Sequence, residues 1–328
     1  MKKFIVLFMA LVAMCVTTAK AQSSLLATLN HEGTITTFYG TTALQKAHES
    51  AADGDVITLS SGTFQSVDIT KAITLRGAGM SLDVATQTEP TVLVSDFNIT
   101  ISEESTQRLT IEGIYANQTV IIKHLKNAMF LKDRFRTIST YSSNGIAKDL
   151  TFIHCRITEG YSANTSSDNS AVFHNCIVQN VGGRNYIFKN CLFLSQGDNY
   201  STWLNEYSEY RNCIILNAYK PVSNSTFYNN LYCSGYNLTN TNNTNVKVDK
   251  NDEAIKNLFG YSDDKNYKLT EAAKALIKGT DGTEVSIYGG SLPYSPVPTN
   301  PQISKFNVAA KTTADGKLSV DIEVKSAE

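Results

Sequence analysis

The sequence predicts an all-β fold: one chain wound into a parallel β-helix, a solenoid of short stacked strands. Three observations carry this expectation. A four-residue phrase recurs five times, as Phe152-Ile-His-Cys155, Phe173-His-Asn-Cys176, Phe188-Lys-Asn-Cys191, Tyr210-Arg-Asn-Cys213 and Phe227-Tyr-Asn-Asn230. Its last position falls at 155, 176, 191, 213 and 230, so the spacings are 21, 15, 22 and 17 residues. A phrase held constant across unequal gaps marks stacked coils with loops of different length. The gaps are too short for helix pairs. β-Branched and aromatic residues crowd each phrase, as in Ile177-Val178 and Ile214-Ile215-Leu216.

The elements follow in chain order. Met1-Lys2-Lys3, an apolar run from Phe4 to Val16 and Ala19-Lys20-Ala21 predict a secretory signal peptide over 1–21, cleaved between Ala21 and Gln22. Met14 is too large for the position before a lipoprotein cysteine at Cys15. The mature protein is therefore expected outside the cytoplasm: periplasmic, on the cell surface or extracellular. No other apolar run is long enough to cross a bilayer. Residues 22–52 form an N-terminal segment and a capping helix. Thr42 suits its N-cap, and Leu44, Ala47, His48 and Ala51 share one face. A solenoid needs such a cap because its open end exposes strand edges and core.

Residues 53–290 make up the solenoid. Coil-like segments at 56–64, 67–75, 92–101, 109–122 and 128–138 precede the phrased coils. Two Ser/Asn-rich stretches, 160–170 and 237–245, are expected as projecting loops. Pro293, Pro296, Pro298 and Pro301 predict an extended linker over 291–302. The last segment, 303–328, alternates apolar and polar residues about Asp315-Gly316 and predicts a β hairpin. It would fold back on the stack as a cap or form a truncated β segment; the cap is preferred, since so few residues cannot build a core of their own.

Stacking places equivalent residues of neighbouring coils about 4.8 Å apart. Phe152, Phe173, Phe188, Tyr210 and Phe227 would then form an internal aromatic ladder. Cys155, Cys176, Cys191 and Cys213 would form a column of thiols. His154, Asn175, Asn190, Asn212 and Asn229 would form a polar ladder at a bend, bonding up and down the stack, because a buried amide is costly unless bonded. An exported protein usually pairs its cysteines. Here the mature chain holds an odd set, these four and Cys233, and in-register neighbours have poor disulfide geometry. Buried thiols acting as small apolar fillers are the favoured reading over a disulfide framework, and no CxxC or HxxxH spacing predicts a metal site.

These phrases, with Asp53-Gly-Asp-Val-Ile-Thr-Leu-Ser-Ser-Gly-Thr-Phe64 and Asp281-Gly-Thr-Glu-Val-Ser-Ile-Tyr-Gly-Gly290 flanking them, resemble the right-handed parallel β-helix proteins of the pectate-lyase-like superfamily, as found in secreted bacterial proteins. The resemblance spans roughly residues 40 to 290. It implies the fold more sharply than an activity, since the superfamily holds lyases, hydrolases, epimerases and non-enzymes. In its lyases a Lys or Arg abstracts the proton beside a carboxylate, often with calcium held by acidic side chains.

The phrase position between aromatic and amide should point outward. That column contains Lys132 by loose alignment, then Ile153, His174, Lys189, Arg211 and Tyr228, with Arg184 in a preceding turn. Such a basic stripe would bind uronate carboxylates, arginine in bidentate fashion. Were the protein a lyase, the catalytic candidates are Lys189, Arg211 and His174, with Lys189 as base, its pKa lowered by cationic neighbours. Calcium would then be the cofactor; otherwise none is expected. Only Asp168 and Asp198 are near, both in loops, and no Asn-Thr-Asp motif of polygalacturonase type occurs. Tyr200, Trp203 and Tyr207 would offer an aromatic platform for sugar rings, unless Trp203 instead covers the core edge.

The whole chain has 29 basic and 30 acidic residues, a net charge of −1, which gives no support for nucleic-acid binding. The expected function is non-catalytic binding of an acidic polysaccharide or cell-surface glycan. The alternatives are a polysaccharide lyase acting by β-elimination, and a structural or adhesive surface module.

Overall fold

The computed structural model describes residues 25–140, 145–163, 168–194, 204–218, 224–234, 238, 244–249, 257–259, 266–299, 302–308 and 315–325. The expected signal peptide, Asp198, Tyr200 and Trp203 lie outside the described residues.

The chain forms a parallel β-solenoid with two long sheets. Among the described residues, sheet 1 has eleven strands, of which the first two add antiparallel at one edge and the rest run parallel. Sheet 2 has thirteen described strands on the neighbouring face. Each phrase lies at the end of a sheet 1 strand. Leu150–Ile153, Ala171–His174, Tyr186–Lys189, Glu209–Arg211 and Thr226–Tyr228 stack in one register.

The register sets Phe152, Phe173, Phe188, Tyr210 and Phe227 ring on ring. Successive centroids lie 4.7, 4.8, 4.9 and 5.0 Å apart, with planes within 22°. These are the strand spacing itself, so the ladder follows from the pairing. Phe130 extends it, 4.7 Å from Phe152. Phe130-Leu-Lys-Asp133 is thus another copy of the phrase, with Asp133 in the thiol position. The five described cysteines are buried, and Cys155, Cys176, Cys191 and Cys213 are free thiols. Four repeat one contact: the thiol donates to the carbonyl of the aromatic residue one rung back. The sulfur–oxygen distances are 3.3 Å for Cys155 to Phe130, 3.4 Å for Cys176 to Phe152, 3.4 Å for Cys191 to Phe173 and 3.6 Å for Cys213 to Phe188. Burial pushes the Cys176 and Cys213 thiols well up, so they stay protonated.

The third phrase residue makes the corner between the sheets. His154, Asn175, Asn190, Asn212 and Asn229 all have left-handed backbone, with φ of 54°, 49°, 54°, 57° and 50°. Asparagine tolerates that conformation better than most residues. Lys132 has φ 55° and belongs to this corner column. Leu131, not Lys132, aligns with Ile153, which corrects the outward column by one residue.

The polar ladder does not bond to itself. Its side chains hold a strap, 278–299, that returns along the stack from its last rungs to its early ones. Asn229 Nδ2 donates to Lys278 O (2.8 Å), and Asn212 Oδ1 accepts from Thr280 N (2.9 Å). Asn175 Nδ2 donates to Ile287 O (2.8 Å) and Gly289 O (2.9 Å). His154 Nε2 lies 2.9 Å from Leu292 O, and Glu112 accepts from Thr299 N at 2.7 Å. Corner side chains at φ near 50° project sideways, where the strap's carbonyls are closer than the next amide. The expected proline linker is therefore tied to the stack at Leu292 and Thr299, with Pro298 buried and Pro293 and Pro296 exposed.

A second core lies outside sheet 2. Ile177, Leu192, Ile214 and Leu231 point outward there, yet they are buried. Leu258, Phe259, Leu269, Ala273 of the helix Glu271–Leu276, Ile277, Val285 and Ile287 cover them. At the other end, Leu26–His31 and Thr34–Tyr39 add antiparallel to Val56–Leu59 and close the first parallel edge. The helix Ala43–Ser50 buries Ala43, Leu44, Ala47 and His48, as its face predicts. Thr42 stands at its N-cap, but its side chain makes no capping bond. Lys71 Nζ instead binds the far end, donating to the carbonyls of His48, Glu49 and Ala51 at 2.7, 2.9 and 2.6 Å. The C-terminal hairpin, Gln302–Val308 with Val320–Lys325, forms a separate two-stranded sheet. It adds to neither solenoid sheet, and Val320, Ile322 and Val324 stay about half exposed.

Candidate functional site

The outward column forms in sheet 1. Ile153, His174, Lys189, Arg211 and Tyr228 occupy successive rungs, all half-buried because the strap runs alongside. Between column and strap lies a cleft of 530 Å³. His174, Lys189 and Arg211 form one wall, and Asn175, Asn190 and Asn212 its floor. Thr280, Asp281 and the turn at Gly290 form the other wall.

The three expected cations are not equivalent. Arg211 Nε donates to Glu209 Oε1 at 2.9 Å on the same strand, and its guanidinium lies 4.8 Å from the Tyr228 ring centroid. The Glu209 carboxylate holds the guanidinium charge and raises its pKa further. His174 is held below the ordinary imidazole value, first by burial and then by the Lys189 ammonium. It is neutral at pH 7. Lys189 has no carboxylate partner among the described residues and is the cleft's one uncommitted cation. On the strap wall, Asp281 Oδ1 accepts from Thr283 N (3.0 Å) and Thr283 Oγ1 (2.7 Å), which hold its pKa low and keep it ionised.

The floor has one unusual group. Asn190 Nδ2 is buried with no hydrogen-bond partner among the described residues. It presses against Gly289-Gly290. A Cβ at Gly289 would collide with the Glu284 carbonyl and stand 2.7 Å from Asn190 Nδ2. Gly290 has φ +78°, so the strap can turn here only through residues that tolerate such backbone.

The remaining expected contacts lie elsewhere. Arg184 and Tyr207 meet, with the guanidinium 4.2 Å from the ring centroid, but neither lines the cleft. Among the described residues no group of three or more His, Cys, Asp or Glu side chains is placed to hold a metal ion. No described helix is long and apolar enough to cross a membrane. The sequence reading missed Glu209, Asp281 and the strap wall. Glu209 was findable, since it stands two residues before Arg211 on a strand and therefore on the same face. Asp281 was not, because the strap residue beside it, Thr280, lies 68 residues from its partner Asn212.

Comparison with family models, with curated proteins and with solved structures finds no match to this chain.

Proposed function

We propose that this solenoid binds a uronate-bearing glycan in the cleft without turning it over, and that it is a member of the pectate-lyase-like superfamily, exported after removal of residues 1–21. The observation that carries the reading is Lys189: a half-buried cation with no carboxylate partner among the described residues, in the wall of the cleft. A uronate carboxylate supplies the missing charge. Glu209 and Asp281 stand beside it as acceptors for sugar hydroxyls. With only one free cation among its described residues, the cleft suits one carboxylate at this level rather than a run of them.

Calorimetric titration with oligogalacturonate tests the reading. Saturable binding that falls at least about ten-fold in Lys189→Ala is expected, the loss of one charge-assisted contact. Ultraviolet absorbance in the same mixtures, with and without calcium, separates the lyase alternative. A rise abolished by Lys189→Ala replaces binding with β-elimination. No binding and no rise leave a structural or adhesive module.

A further inference from the structure

Outside the cleft, a second basic feature lies on the outer face of sheet 2. Arg134 and Arg156 are direct partners on neighbouring parallel strands, with Tyr115 on the rung before and Ile177 on the rung after. Parallel pairing holds their backbones about 4.8 Å apart. Like charges facing each other across strands are destabilising unless compensated. Three other arginines are each set against a carboxylate. Arg76 lies 3.5 Å from Glu112, Arg136 is 2.7 Å from Glu159 and Arg211 is 2.9 Å from Glu209. Arg134 and Arg156 have no carboxylate in reach among the described residues, and both are half-buried.

Arg134 is also held in place. Its guanidinium lies 4.3 Å from the Tyr115 ring centroid, and its Nε is buried with no acceptor among the described residues. A planar fork stacked on a ring is already ordered, so it loses little freedom when an anion binds.

We infer that Arg134 and Arg156 form a second anion site, separate from the cleft, that takes a compact oxyanion carried on a polysaccharide, either a carboxylate or a sulfate ester. Two guanidinium forks on adjacent rungs converge on one such group and cancel their mutual repulsion in doing so. A polysaccharide is favoured over nucleic acid because the basic feature is two residues wide, Arg136 beside it is already neutralised by Glu159, and the chain's net charge is −1. The site does not depend on Lys189, so a chain could be gripped here whether or not the cleft is occupied.

The test uses the full-length mature protein with nitrogen-15 labelling. The arginine Nε–H signals of Arg134 and Arg156 are followed while sodium sulfate, or sodium galacturonate, replaces sodium chloride at constant ionic strength. Saturable shifts of both signals with either anion are expected, and the stronger of the two anions identifies the ester or the carboxylate. In parallel, dextran sulfate and oligogalacturonate are titrated into the wild type, Arg134→Gln/Arg156→Gln and Lys189→Ala. The double variant should bind the preferred polymer at least about ten-fold more weakly, while Lys189→Ala keeps the Arg134 and Arg156 shifts. No saturable shift with either anion overturns the second site and leaves the cleft untouched. Unchanged polymer affinity in a folded double variant also overturns it. If the double variant does not fold, the wild-type shifts alone decide.

Discussion

The outer face of sheet 2 has two halves built on one backbone. On the later rungs, Ile177, Leu192, Ile214 and Leu231 face outward into the second core. On the earlier rungs the same column holds Tyr115, Arg134 and Arg156. The inner neighbour is apolar in both halves: Ala116, Phe135 and Ile157, then Val178, Phe193, Ile215 and Tyr232. The residue two places after each corner residue therefore distinguishes a strand covered on both faces from one covered on one. An apolar pair marks a second layer, and an arginine followed by an apolar residue marks an open surface.

The largest effect expected from this comparison is at Ile214. Ile214→Ala should cost about 2–5 kcal/mol in urea unfolding, as a deep core truncation does, and match Ile215→Ala on the inner face. A near-zero cost at Ile214 beside a normal cost at Ile215 would break the two-core account. Asn175→Ala follows, at about 1–3 kcal/mol for two strap carbonyls left without their donor. Asn175→Gly keeps the backbone relaxed, so an equal loss there places the cost in the strap bonds rather than in the corner.

Asp133 gives a gain. Burial, first, and Glu112 raise its carboxyl pKa well above the ordinary value, although Ile114 N donates to Oδ1 at 2.9 Å. A raised folded pKa makes the carboxyl favour its neutral form, so its burden on stability grows as pH rises above the unfolded value of about 4. Asp133→Asn keeps the acceptor and removes the titration. Thermal melts should show it more stable than wild type at pH 7, with the difference closing toward pH 4. A smaller effect belongs to His154, whose pKa is lowered by burial. A depressed folded pKa contributes stability that is full above about pH 6.5 and is lost as pH falls through the folded value. His154→Asn, the residue of the neighbouring corners, should lose less stability than wild type between pH 7 and pH 5. The smallest effect is on the open half: Arg156→Gln should change stability by no more than about 0.5 kcal/mol, in contrast to Ile214.

Much of the architecture was legible because it repeats. The aromatic ladder and the thiol column need only a constant phrase and the strand spacing. Phe130-Leu-Lys-Asp133 escaped because an acid stands where the thiol usually is, and Lys132 was consequently placed one residue out of column. The candidate site was half legible. His174, Lys189 and Arg211 do share a stripe, but their charges differ, since Glu209 engages Arg211 and burial neutralises His174. The outer core was present in the sequence as Ile177-Val178 and Ile214-Ile215, read there only as strand composition.

The sequence alone determined the parallel stack, its internal ladders and the helical cap, because each depends on neighbours one rung away and on side-chain alternation. Only the tertiary structure decided what the corner amides bond to, which rungs carry a second layer and where the cleft opens. Those depend on residues 257–259 and on the return path of residues 266–299, whose partners stand 112 residues away at Asn175 and Ile287 and 187 away at Glu112 and Thr299. No local propensity encodes such a contact. It is set by which buried donors, acceptors and apolar faces the finished stack leaves to be covered.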